Sequence, residues 1–103
     1  MTTFDFGNGP VPAHQHPNGG GWVADTAHVA DGAYVGTNAR VYGDAEVSDN
    51  AQIYGDAQVF DNAKVFGNAL VSGNAVVYGN ARVYGDAWVS GNAVVSGYDV
   101  VSE

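Results

Sequence analysis

The stretch Val77-Tyr-Gly-Asn-Ala-Arg82 is one copy of a six-residue unit that decides the fold of this chain. An aliphatic residue recurs at every sixth position from Val23 to Val101. Ala stands two positions before nearly all of these residues, and Asn or Asp precedes every such Ala from Ala39 to Ala93. A repeat this strict indicates a solenoid, in which each unit buries its apolar side against the neighbouring units.

The period of six decides between helix and strand. In an α-helix, at about 100° per residue, successive Val positions would spiral around the axis and share no face. In extended chain an even spacing keeps Val and Ala on the same side of the pleat. The Gly-Asn and Gly-Asp pairs tolerate positive φ, so they predict a corner after each short strand. We therefore expect stacked coils with Val in the walls and Ala in the inner corners.

This repeat, from Val23 to Val101, resembles that of the hexapeptide-repeat proteins. The resemblance implies an all-β fold, a triangular left-handed parallel β-helix (β-solenoid) with about four coils of about 18 residues each. We expect an irregular N-terminal cap or leader over residues 1–21 and the β-helix over residues 22–103. The Val-aromatic-Gly-Asn-Ala form of the unit, and the segment Pro12–Trp22 before it, are similar to phage and prophage structural proteins.

The composition suits such a prism and excludes several classes of function. Val, Ala, Gly, Asn and Asp dominate, whereas Leu and Ile occur once each. Three Lys/Arg against eleven Asp/Glu give a net charge of −8, which argues against binding to nucleic acid or to an anionic membrane. The absence of Cys excludes disulfides and thiolate metal sites. The N-terminus resembles no signal peptide and no run is long enough to span a membrane, so we expect a virion or cytoplasmic location.

Coils of about 18 residues sort the outward side chains onto three faces. Two faces carry large apolar residues, and these are Tyr42, Phe60, Tyr78, Val76 and Val94 on one and Tyr34, Tyr54, Leu70 and Trp88 on the other. Because Val and Ala already fill the interior, these outward residues predict a subunit or partner interface. Related β-helices are commonly trimers, so the resemblance implies a homotrimer. The alternative is that aromatic ladders only stabilise neighbouring strands. The remaining face, with Glu46, Lys64 and Arg82, is expected to contact solvent.

Two groups of residues suggest metal chemistry. His14 and His16 would lie on the same side of an extended strand, a spacing that can chelate a transition metal. The alternative for both is ordinary hydrogen bonding within the cap, together with Asn18. Asp residues at the corners raise a calcium hypothesis, but Asn interrupts them, which favours solvated turns. We expect no other cofactor.

Enzyme function is not expected. The carbonic-anhydrase relatives among hexapeptide proteins use three His from the coils, and this chain has no His after His28. The acyltransferase relatives place a catalytic His in a coil or an extruded loop, and the repeat from Val23 to Val101 has no insertion. No Ser-His-Asp set or pair of carboxylates stands out either.

These observations favour a non-catalytic structural protein that acts through self-assembly. The resemblance points to a virion-associated (phage or prophage) rod, decoration or fibre module, with other virion proteins as partners. One alternative is a glycan- or protein-binding module that uses the exposed aromatic face, and another is a hexapeptide acyltransferase-like scaffold. Tyr98 and Asp99 interrupt the unit near the C-terminus, and a charge at the inward corner predicts a stop to further stacking.

Overall fold

The computed structural model describes residues 2–7 and 9–102, and every regular element in that part of the chain is a β-strand. Two strands precede the repeat: β1 (Thr3–Asp5) and β2 (Pro10–Gln15). The repeat itself supplies β3 (Trp22–Ala24), β4 (His28–Val29), β5 (Tyr34–Val35), β6 (Arg40–Val41), β7 (Glu46–Val47), β8 (Gln52–Ile53), β9 (Gln58–Val59), β10 (Lys64–Val65), β11 (Leu70–Val71), β12 (Val76–Val77), β13 (Arg82–Tyr84), β14 (Trp88–Val89), β15 (Val94–Val95) and β16 (Val100–Ser102).

The strands of the repeat form three parallel sheets that are the three walls of a solenoid. The first sheet has the order β1-β2-β3-β6-β9-β12-β15, the second β16-β13-β10-β7-β4 and the third β14-β11-β8-β5. Each strand pairs with the strand one coil further along, for example Val23 with Val41 and Val41 with Val59. The predicted parallel β-solenoid of about four coils is confirmed.

Val and Ala fill the interior. The walls and inner corners form one continuous buried cluster, in which residues such as Val77 and Ala81 have no exposed surface. Burying a Val side chain contributes about 1.5–3 kcal/mol, and the small Ala allows the chain to turn sharply at the corner. The shortage of large aliphatic residues thus reflects a narrow interior.

Backbone hydrogen bonds join successive coils at the corners as well as along the walls. Asp56 donates its backbone N–H to the carbonyl of Gly73 (2.8 Å), and Asn74 donates to that of Gly91 (2.8 Å). Gly73 and Gly91 have positive φ (66° and 65°), as the predicted corners require. Asp49 occupies a corner position that is Gly in other units, and it has a positive φ of 59°. Its carboxylate accepts a hydrogen bond from the backbone N–H of Gly67, the corner residue of the next coil along the chain (3.1 Å).

The N-terminal segment is more regular than the irregular cap predicted over residues 1–21. β1 and β2 form an antiparallel hairpin, and β2 also pairs antiparallel with β3, so the hairpin extends the first sheet. Proline cannot donate to the ladder, so Pro10 and Pro12 are unusual in a strand with partners on both sides. In the structure the carbonyl of Pro12 still accepts a hydrogen bond from the N–H of Asp25 (2.9 Å).

The same segment also covers the third sheet. Gly21 donates its N–H to the carbonyl of Val35 (2.9 Å), and Val35 donates to the carbonyl of Asn18 (3.1 Å). The N-terminal edges of two sheets are therefore occupied by the chain itself, while β4 is the edge strand of the second sheet among the described residues. Covering sheet edges in this way prevents uncontrolled strand pairing.

The last described coil differs from the coils above it. Tyr98 is 84% exposed and Asp99 is exposed, although Asp99 lies in the column of inner-corner Ala residues. One carboxylate oxygen of Asp99 accepts a hydrogen bond from the N–H of Ser96 (3.3 Å). The predicted inward charge is thus solvated at this corner. No helix capable of crossing a membrane occurs among residues 2–7 and 9–102.

Candidate functional site

The most prominent surface feature is a stack of aromatic rings along the first sheet. Tyr42, Phe60 and Tyr78 follow one another at centroid distances of 4.8 and 5.1 Å, with interplanar angles of 6° and 3°. They follow the inward residues of β6, β9 and β12, so the spacing of the rings is the strand spacing of a parallel sheet. The register of the coils therefore produces the stack directly.

The hairpin continues this stack at its N-terminal end. Phe6 stacks on Tyr42 (4.7 Å, 18°), Phe4 meets Phe6 edge-on (4.7 Å, 62°) and Phe4 stacks on Trp22 (4.8 Å, 18°). We refer to these six rings, from Trp22 to Tyr78, as the aromatic column. The predicted interface does not contain Phe4 and Phe6, which belong to the predicted cap, although their spacing of two places both on the same side of an extended strand.

Tyr42 is the most constrained member of the column. Its hydroxyl donates a hydrogen bond to Oε1 of Gln58 (3.0 Å), and Phe6 covers its ring. Burial raises the pKa of Tyr42, the charge of Arg40 opposes that rise and the charge of Asp61 adds to it. Part of the predicted interface is therefore covered by the N-terminal hairpin of the same chain.

The rest of the predicted interface on the first sheet lies beside the column. Val76 and Val94 are Cα partners in neighbouring strands, and Val94 is 59% exposed. Phe60 and Tyr78 are half-buried. The structure thus brings together the five residues predicted for this face, and their role as an interface stays a prediction.

The third sheet carries the other predicted interface residues. Leu70 and Trp88 are Cα partners, and Trp88 is 69% exposed. Tyr34 and Tyr54 are half-buried. Only the C-terminal part of this face therefore offers a large apolar side chain to solvent.

The second sheet has an aromatic pair of its own. Phe66 stacks on Tyr84 at 5.0 Å and 5°. On the same sheet Glu46, Lys64 and Arg82 are successive Cα partners and all three are exposed, in keeping with a solvent-facing wall.

The two candidate metal-ligating histidines have different surroundings. Nδ1 of His14 lies 2.8 Å from Oδ1 of Asp25, and both side chains are half exposed. His16 is buried, and its Nε2–H donates to the carbonyl of Ala33 (2.9 Å), which also accepts from Nδ2 of Asn18 (3.1 Å). The structure does not direct these two imidazoles to a common point, and within the described part of the chain no three metal-ligating side chains cluster. Metal binding here stays a prediction.

Comparison with known proteins supports the architecture over part of the chain. A family model described as YdcK Beta solenoid repeat matches residues 63–79 and 77–91, which contain β10 to β14. No curated protein and no solved structure gives a significant match. The central coils are therefore similar to the YdcK β-solenoid repeat.

Proposed function

We propose that the protein is a non-catalytic structural protein that assembles into a homotrimer through the outer face of the first sheet. The observation that carries the proposal is the combination of the aromatic column with Val76 and Val94 on one wall of a solenoid whose interior is already filled. Contiguous apolar surface outside a complete core typically marks a contact surface.

Charge favours this wall over the second sheet. The outward residues from Gln58 to Ser96 on the first sheet include no Asp, Glu, Lys or Arg, whereas the second sheet carries Glu46, Lys64 and Arg82. A chain with a net charge of −8 associates with its own copies most easily where charged groups are absent. Between these two walls, the first sheet therefore offers the less repulsive approach between subunits.

The N-terminal hairpin favours side-by-side assembly over end-to-end stacking. β2 and the loop before β3 occupy the N-terminal edges of the first and third sheets, and β1 adds a further strand on the first. A second copy therefore cannot pair directly with β3, and the loop before β3 stands in its way at β5. The body, with extents of 38 × 25 × 20 Å, then associates along its long side.

The resemblance to phage and prophage structural proteins supports a place in a virus particle. In that setting the trimer would serve as a rod, decoration or fibre module that works through its rigid shape. The identity of the neighbouring genes in the genome tests this assignment. Structural genes of a phage or prophage would support it, and an unrelated metabolic operon would contradict it.

The test of assembly is the mass of the protein in solution, measured by multi-angle light scattering. We expect a trimer for the natural sequence and monomers for the double variant Phe60→Ser/Tyr78→Ser. The matched control is Phe66→Ser/Tyr84→Ser, which removes the stacked pair from the second sheet and should stay trimeric. A monomeric natural protein, or equal masses for the two variants with unchanged circular dichroism, would contradict the proposal.

A second candidate, a glycan-binding module, is favoured by the exposed indole of Trp88 beside Leu70. Aromatic faces at the surface are suitable platforms for sugar rings. A glycan array tests it. Binding that is lost in Trp88→Ala and kept in Phe60→Ser/Tyr78→Ser would favour this candidate, and an array without signal would remove it.

A further inference from the structure

A cavity of about 310 Å³ lies between the N-terminal hairpin and the first corners of the solenoid. The hairpin contributes Phe6, Val11 and Pro12, and the coils contribute Ala24, Asp25 and Tyr42. Its volume is at the small end of the range of about 300–1,000 Å³ that is typical of ligand pockets. Its lining is mainly apolar, so it suits one small ring and not an extended ligand.

The polar groups of the lining are mostly engaged within the protein. The hydroxyl of Thr26 donates to the carbonyl of Gly43, and the hydroxyl of Tyr42 donates to Gln58. Asp25 differs, because only one of its carboxylate oxygens meets a side chain, Nδ1 of His14. Its second oxygen accepts no hydrogen bond from the described residues. The cavity therefore combines an apolar wall with one available anionic acceptor.

The charges around the cavity select the sign of a ligand. The chain has three Lys and Arg side chains, and none lines the cavity: Arg40 lies over the ring of Phe4 (5.2 Å), and Lys64 and Arg82 belong to the second sheet. Arg40 and Asp61 both lie near enough to Tyr42 to influence its hydroxyl, and their effects on its pKa are opposite. With a net charge of −8, the chain as a whole repels anions and attracts cations.

We propose that this cavity binds a small organic cation, a primary amine that carries a single apolar ring. The ring packs against Phe6, Val11, Pro12 and Tyr42, and the ammonium group contacts the available oxygen of Asp25. A cation beside aromatic side chains is stabilised further by their ring electrons. The site is formed within one chain, so this proposal does not depend on the trimer.

Three probes of similar shape and different charge test the proposal: benzylamine, benzyl alcohol and benzoate. Each is titrated at constant pH into ¹⁵N-labelled protein, and the amide shifts of Gly9, Asp25 and Gly43 are followed by NMR. We expect benzylamine to bind about fivefold more tightly than benzyl alcohol, the effect of one partly exposed ion pair, and benzoate to bind least.

Two variants separate direct contact from general charge. Asp25→Asn keeps an acceptor for His14 and should reduce benzylamine binding to the level of benzyl alcohol. Asp44→Asn removes an exposed charge from the next coil, where it does not line the cavity, and should keep most of the preference for benzylamine. Shifts that are absent from the cavity, equal binding of the three probes, or an equal effect of both variants would overturn the proposal.

Discussion

Residues in the middle coils and residues in the last described coil hold the same places in the repeat but differ in their surroundings. A Cβ atom added to Gly73 would lie 2.8 Å from the backbone nitrogen of Gly91, whereas one added to Gly91 would meet nothing within 4 Å. Ala63 is fully buried, whereas Asp99, in the same column two coils later, is exposed. The difference teaches that the adjoining coil, more than the unit itself, determines which side chains a position tolerates.

The N-terminal end meets the same problem in another way. There the chain covers two sheet edges with a hairpin and a loop, using stacked rings on the first sheet and polar contacts on the third. His16 is buried at this end, and its ring fixes the loop to the carbonyl of Ala33. An end of a repeat is therefore closed by residues that do not follow the repeat.

The largest predicted effect comes from placing the charge of the last coil in the middle of the column. Ala63→Asp buries a carboxylate without a partner, and we expect it to lower the free energy of unfolding by more than about 3 kcal/mol. The reverse change at the end, Asp99→Ala, should alter it by less than about 0.5 kcal/mol. Urea unfolding followed by circular dichroism measures both, and similar losses would break the comparison.

A smaller difference is expected between Gly73→Ala and Gly91→Ala. Both place a Cβ atom on a residue with positive φ, a conformational cost of about 1–2 kcal/mol. Only Gly73→Ala also drives that atom against the next corner, which should add about 1–3 kcal/mol. The urea concentration at the midpoint of unfolding measures the difference between the two variants, provided that both unfold with the same dependence on urea concentration. If they coincide, the distance between corners does not limit the side chain.

The smallest effect concerns the N-terminal end and appears at high pH. Burial raises the pKa of Tyr42, so the folded protein holds this phenol proton more tightly than the unfolded chain does. The resulting stability is complete below the unfolded pKa of about 10 and is lost as the pH rises through the folded value. Tyr42→Phe should therefore make the decline in thermal midpoint above that pH less steep. Equal slopes for the two proteins would show that the hairpin does not shield this ring.

The repeat was open to prediction because each of its positions has one physical role. An even spacing of Val and Ala places both inward, and Gly with Asn or Asp provides the corner, so strands and core follow from the pattern. The outward residues Tyr42, Phe60 and Tyr78 could be assigned to one wall by the same reasoning.

The N-terminal part could not be derived in this way. Pro10 and Pro12 weaken the pattern of a strand, and no period marks the return of the chain onto β3. The burial of His16 and the pairing of His14 with Asp25 depend on where the hairpin crosses the first coil. That crossing is a long-range contact without a local signal in the sequence. The cavity beside it could not be predicted for the same reason, because the hairpin and the coils line it together.

The constant register has a consequence for how the length of this protein can change. A duplication or deletion of 18 residues would move one part of the rod by about 4.8 Å along its axis and leave every side chain on its own wall. A change of six residues would instead turn everything beyond it to the next wall and divide the aromatic column between two walls. The length of the solenoid can therefore change only by whole coils if the side chains on each wall are to stay together.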